Sequence, residues 1–112
     1  MRSIDLMADF EFHEADPYAQ PLHVSPSGRI IRFMLKPGQS VREHNAPHSP
    51  LYIVGLKGEG MFAGGDGVEQ PIGPGTLLIL EPGESHAVRA QATELVFLAI
   101  LHGIPPELRD TH

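Results

Sequence analysis

Glycine and proline punctuate this chain from Pro17 to Pro106, and they fall between short apolar runs. With 12 Gly and 11 Pro among 112 residues, the chain carries too many breakers for a helical bundle. Proline lacks the amide donor a helix interior requires, and glycine costs backbone entropy there. Short apolar runs at intervals of about 8–12 residues with turn residues between them predict an all-β sandwich or barrel.

The individual runs support that expectation. Arg29–Lys36 alternates, with Ile31, Phe33 and Leu35 on one parity as a core face. Ser40–His44 is short and polar; plain alternation sets Val41 and Glu43 against Arg42 and His44, which would share a face. Leu51–Leu56 is a strand with Gly55 inside it, which predicts a bulge or a bend at a barrel corner. GGDG at 64–67 reads as a hairpin loop. After Gly73-Pro74-Gly75, Thr76–Leu80 is an apolar strand, and an E-P-G turn leads into His86–Ala90, where His86, Val88 and Ala90 share a parity. Glu94–Leu101, ELVFLAIL, is the strongest strand. Both its faces are apolar, so its outer face needs cover from a second sheet, a terminal segment or another subunit. The first 21 residues are open between a short helix capped by Ser3 and an edge strand near Asp9–Phe12, with Pro17 and Pro21 breaking any helix. The expected organisation is an N-terminal arm (1–28) available to pack on the barrel or a partner, a barrel (29–102) and a C-terminal tail (103–112).

Apolar content of 41% supports a real core, and the length suits one domain. Fourteen acidic residues against eight basic ones give a formal charge of −6, and no basic patch appears. Nucleic acid and anionic membrane are therefore poor partners. No apolar run approaches the ~20 residues of a membrane span. The acidic N-terminus has no apolar signal core, and the absence of cysteine fits a cytoplasmic protein and excludes thiolate ligands.

Of seven histidines, His13, His23, His102 and His112 read first as surface or hydrogen-bonding residues, although His13 lies among Glu11, Glu14 and Asp16. His44 and His86 differ. Each sits at a strand end announced by glycine, in two non-adjacent strands, which is what convergent imidazole ligands in a small barrel would need. His48 lies four residues beyond His44, about 13 Å away on a straight strand, too far to share one ion. It converges only if Ala46-Pro47 bends the chain; otherwise it sits in a solvated loop.

These two stretches resemble the paired motifs of the cupin superfamily. Gly38 and His44 match the opening of the first motif and Gly58 its close, with Ala46 at the second histidine position and Leu51 at the glutamate position. Gly75, Gly83 and His86 match the second motif, with Glu81 at its proline and Ala90 at its asparagine. The resemblance spans roughly Arg29 to Leu101. It implies a single-domain cupin-like β-barrel (double-stranded β-helix or jelly roll) with little or no helix. It also implies a divalent transition metal (Zn, Fe, Ni, Mn or Cu) held by His44 and His86, the histidines that match by position; His48, displaced by two residues from the motif, is the expected third ligand if the chain bends at Ala46-Pro47. Related small cupins include metal-dependent dioxygenases, isomerases and decarboxylases as well as ligand-binding modules. Two functions follow from this: a metal-dependent enzyme acting on a small anionic or oxygenated molecule, or a non-catalytic binding or sensing module with a degenerate metal site. A homodimer is expected as cover for the strand at 94–101.

Overall fold

The computed structural model describes residues 1–44 and 49–102, with the backbone alone for Glu43 and His44. Nine strands follow one another: β1 (Tyr18–Ser25), β2 (Gly28–Leu35), β3 (Ser40–His44), β4 (Leu51–Lys57), β5 (Gly60–Ala63), β6 (Glu69–Ile72), β7 (Leu77–Leu80), β8 (His86–Ala90) and β9 (Leu95–His102). They form two antiparallel sheets, a five-stranded one ordered β1-β2-β9-β4-β7 and a four-stranded one ordered β3-β8-β5-β6. The chain passes back and forth between them, so each sheet covers the apolar face of the other.

The alternation in the sequence sets which side chains meet. Leu35, Leu51, Ile53, Leu95, Phe97 and Ala99 from the larger sheet join Phe62, Ile72, Val88 and Ala90 from the smaller one in a single core. β9 lies at the centre of the larger sheet, paired with β2 along its whole length from Gly28↔His102 to Leu35↔Leu95, and with β4 on its other side. That position accounts for a strand that is apolar on both parities.

Gly55 is the predicted irregularity. The β4–β9 register shifts between Gly55 and Lys57, and the Gly55 backbone bonds both ways to the turn before β7, its N–H to Thr76 O at 2.8 Å and its carbonyl to Gly75 N–H at 2.9 Å. A Cβ at Gly55 would lie 2.0 Å from Gly73 O. The corner closes because that position has no side chain.

Residues 1–17 form neither the helix nor the edge strand that the sequence left open; they run as an extended arm with a turn at Leu6-Met7. The arm lies against the outer face of the larger sheet, and Arg32 holds it there. Arg32 is 2% exposed although it occupies the outward parity of β2. Its Nη1 donates to Leu6 O (3.0 Å) and Ala8 O (2.8 Å), and its Nη2 to Asp9 O (3.2 Å) and Gln20 Oε1 (2.8 Å). Its Nε donates to Gln20 Oε1 (3.2 Å), which engages all the N–H donors of a guanidinium. Asp9 takes a left-handed φ of 58° to aim its carbonyl inward, and the Phe10 ring lies 5.3 Å from the guanidinium carbon and 5.4 Å from Lys57 Nζ. Farther along, Gln39 Nε2 donates to His13 O, and Lys36 bonds Glu14.

The hydrogen bond and charge of Lys36 hold the Glu14 carboxyl below its ordinary range. That contact supports the docked arm above the ordinary carboxylate range and is lost as pH falls through the lowered value. The arm also reaches Met34, whose sulfur accepts the Glu11 N–H at 3.2 Å, and Met34, Val96 and Leu98 on this face are all buried. A terminal segment supplies part of the cover that the sequence demanded.

Candidate metal centre

The site is built around β8. Its burial alternates, with His86, Val88 and Ala90 inside, as the parity of the sequence predicts. His86 is 4% exposed. Its imidazole stacks on Phe62 of β5, with centroids 5.9 Å apart and planes 19° apart. Phe62 in turn meets Phe97 edge to face at 6.1 Å, and Phe97 stacks on Phe33 at 5.1 Å. His86 is therefore the polar end of a row of aromatic rings crossing the core. On its other side, Nδ1 lies 3.5 Å from Glu84 O.

β3 brings His44 to it. The β3–β8 register runs Ser40↔Arg89, Val41↔Val88 and then His44↔His86, with a shift between Val41 and His44. Three residues of β3 span what two residues of β8 span, which is a β-bulge. Without the extra residue Glu43 would stand opposite His86. The bulge places His44 there instead. Plain alternation along β3 contains no sign of this extra residue. Residues directly opposite on an antiparallel pair share a face, with Cβ atoms ~5 Å apart in general.

The remaining candidates fall elsewhere. His48 lies outside the described residues, as does His112. His13 is near the surface of the arm, its Nε2 2.5 Å from Glu11 Oε2 and its ring stacked on Tyr18. His23 lies beside Arg2, its Nδ1 3.4 Å from the guanidinium. His102 is exposed, and its carbonyl accepts from Ser49 Oγ at 3.0 Å. Leu51, at the position where the motif has a glutamate, is 4% exposed and packed in the core. Among the described residues no three histidine, aspartate or glutamate side chains converge as a metal-binding group. The aromatic neighbour Phe62 escaped the sequence reading; its inward parity on β5, beside Gly60, was the available signal. The donor set fits a borderline metal, since neutral imidazole suits such ions and no thiolate competes.

Two antiparallel sheets with the chain crossing between them, enclosing one apolar interior with a histidine at the edge of the core, define a double-stranded β-helix. Residues 31–101 match the cupin domain family, and the chain belongs to it. An RmlC-like cupin protein from Desulfovibrio desulfuricans is 29% identical, with 90% of this chain and 96% of that one covered and a TM-score of 0.80. A predicted oxalate decarboxylase from Thermotoga maritima is 32% identical over 70% of this chain and 69% of that one, with a TM-score of 0.65. A protein from Thermus thermophilus shares the fold at a TM-score of 0.86 and 22% identity, covering 92% of this chain and 98% of that one. No curated protein matches. No helix among the described residues is long and apolar enough to cross a membrane.

Proposed function

We propose that this cupin holds one divalent transition ion through His44 and His86, with His48 as third ligand, and uses it to bind a small anionic or oxygenated organic molecule. The observation that carries the reading is the bulged register that sets His44 opposite a buried His86. An all-imidazole set contributes no negative charge, so a divalent ion keeps its full charge and attracts an anion or a metal-bound hydroxide. Leu51 strengthens this, because it stands in the core where the motif has a carboxylate. The name of the Thermotoga relative points the same way, since oxalate is a small dianion. When bound, the ion would act as a Lewis acid toward such a ligand. The chain's own part is to present the imidazoles from two paired strands and to keep the Phe62–Phe97 side of the site apolar.

The degenerate motif favours a second reading, a non-catalytic binding or sensing module. A metabolite that copurifies and is released unchanged on denaturation would support it; turnover would exclude it. Nothing in the charge pattern suits nucleic acid or membrane, and a cytoplasmic setting fits the cysteine-free chain.

The metal reading predicts a specific pH response. Each imidazole must be neutral to bind, so Co(II) affinity should be constant above pH ~7.5 and fall as pH drops through ~6.5. Titration of Co(II) absorbance at pH 8, 7, 6 and 5.5 measures it. An affinity unchanged down to pH 5.5 would mean that carboxylates, not histidines, hold the ion.

The same protein is proposed to be a homodimer. The arm leaves the β7 edge of the outer face of the larger sheet exposed. There Ile30, Ile100, Tyr52 and Ile79 are cross-strand neighbours in one row across β2, β9, β4 and β7, and Val54 and Leu77 pair in the next, beyond the buried Leu98. Leu77 is 57% and Ile79 61% exposed. Contiguous exposed apolar patches of a few hundred Å² on a monomer are often functional. A standard interface of about 800 Å² per partner is slightly more than half apolar, so this patch matches its centre. It carries no charge for an oppositely charged partner to recognise, which favours a second copy around a two-fold axis.

A further inference from the structure

We infer that β7 is the pairing edge of this barrel: two copies join β7 to β7, antiparallel, about a two-fold axis at Leu78, so that their five-stranded sheets run on as one. This rests on the homodimer reading above and says which surface makes the dimer. β7 ends the order β1-β2-β9-β4-β7, so among the described residues one side of it has no strand beside it. The phase of its pairing with β4 decides which residues look out from that side. Gly55 N–H bonds Thr76 O at 2.8 Å, next to the register pairs Val54↔Leu77, Ile53↔Leu78 and Tyr52↔Ile79. Hydrogen-bonded and non-hydrogen-bonded pairs alternate along an antiparallel ladder. Thr76, Leu78 and Leu80 therefore turn main-chain groups toward β4, and Leu77 and Ile79 turn theirs to the open edge.

The same two residues carry the exposed apolar side chains. In the row Ile30, Ile100, Tyr52, Ile79 the first three are half-buried and Ile79 is exposed; in the next row Val54 is half-buried and Leu77 exposed. What Leu77 and Ile79 lack is a neighbour along the row, and an added strand supplies one. The other sheet edges are blunted. β1 has Pro21, a register shift between Pro21 and His23, and Arg2 Nη2 bonded to Leu22 O at 2.8 Å. β3 has its bulge, and β6 has Pro71 and the ion pair of Glu69 with Arg89. Proline, bulges and charge keep sheet edges from pairing. β7, LLIL, carries none of them.

A second copy suits this edge because the edge is its own complement. With Leu78 on the axis, Leu77 of each copy stands opposite Ile79 of the other, and the two pairs exchange four main-chain hydrogen bonds. Their side chains meet on the outer face as cross-strand apolar pairs. On the inner face Leu78 meets the partner's Leu78 beside a cleft of about 140 Å³, lined by Phe62, Val68, Gln70 and Leu80 among others. The register also sets the exposed Glu81 of one copy opposite Gly75 of the other, so the acids that follow β7 do not face each other. The contact closes on itself after two copies.

Single cysteines report the geometry, since the chain has none of its own. Leu78→Cys should form a disulfide-linked dimer on mild oxidation. Opposed residues of a non-hydrogen-bonded antiparallel pair have Cα atoms ~4.5 Å apart, within disulfide range. Tyr52→Cys should not cross-link: it lies one strand in, so its copy would be three strand spacings away, roughly 14 Å. Ile79→Pro removes an amide that faces away from β4, so the fold should persist by circular dichroism. Each copy then loses a bond to the other, and sedimentation should show at least a tenfold weaker dimer. Cross-linking through Tyr52→Cys and not Leu78→Cys keeps the dimer but overturns the edge, because the copies then stack outer face on outer face. A folded Ile79→Pro protein that dimerises as tightly as wild type overturns it as well. A wild type that sediments as a monomer at every concentration, with neither cysteine cross-linking, fails the homodimer reading and the inference together.

Discussion

Arg32→Met should lose about 2–4 kcal/mol of stability and free the N-terminal arm. The magnitude follows from hydrogen bonds to a charged group, each contributing ~1.5–3 kcal/mol, offset by water reaching the released carbonyls. Methionine fills a similar volume, so the loss reports the polar contacts rather than a cavity. Those contacts are specific: the guanidinium binds Leu6 O, Ala8 O and Asp9 O on the arm and Gln20 Oε1 on β1. Arg32→Lys should recover little, because an ammonium has three donors and no planar fork to reach acceptors on both sides. Urea unfolding gives the stability change, and amide exchange at residues 6–12 gives the state of the arm. Protection of those amides should disappear in the variant while β2 and β9 stay protected. A variant within about 1 kcal/mol of wild type with a protected arm would show that Phe10 and Met34 hold the segment instead.

Leu77→Glu combined with Ile79→Glu should convert the proposed dimer to monomer. Two carboxylates at the centre of an apolar interface, each facing its symmetry mate, leave buried like charges unpaired, and disrupting such a centre commonly costs several kcal/mol. The fold should tolerate the change, since both side chains are more than half exposed in the single chain and lie on the edge strand β7. Light scattering should report close to twice the 12.2 kDa chain mass for wild type and close to one chain mass for the variant. A wild type that is already monomeric contradicts the dimer. A variant that stays dimeric places the interface on another face.

The sheets were legible in the sequence because the signals are local. Alternation at 31, 33 and 35 and at 86, 88 and 90 assigned the inward faces correctly, and Gly55 announced its own bulge. The unbroken apolar run of Leu95–Leu101 announced a strand buried on both sides, and β9 is central in its sheet. What escaped was set by partners distant in sequence. The bulge in β3 has no glycine to mark it and exists only against the register of β8, so counting parity from Val41 does not give the His44↔His86 register. Arg32 reads as a solvated residue on the outer face of a strand, and it is buried because a segment more than 20 residues earlier folds over it. Phe62 meets His86 through strand pairing, and it has no motif spacing to reveal it.

The most direct test of the site is metal content. Protein purified without an affinity tag and dialysed at pH 7.5 should carry close to one divalent transition ion per chain. His86→Ala should carry almost none, because it removes the one imidazole fixed on the buried parity of β8. His44→Ala should behave alike, since the register sets the two residues as a pair. Equal, sub-stoichiometric metal in wild type and in His86→Ala would contradict the account and leave the binding module as the function of this barrel.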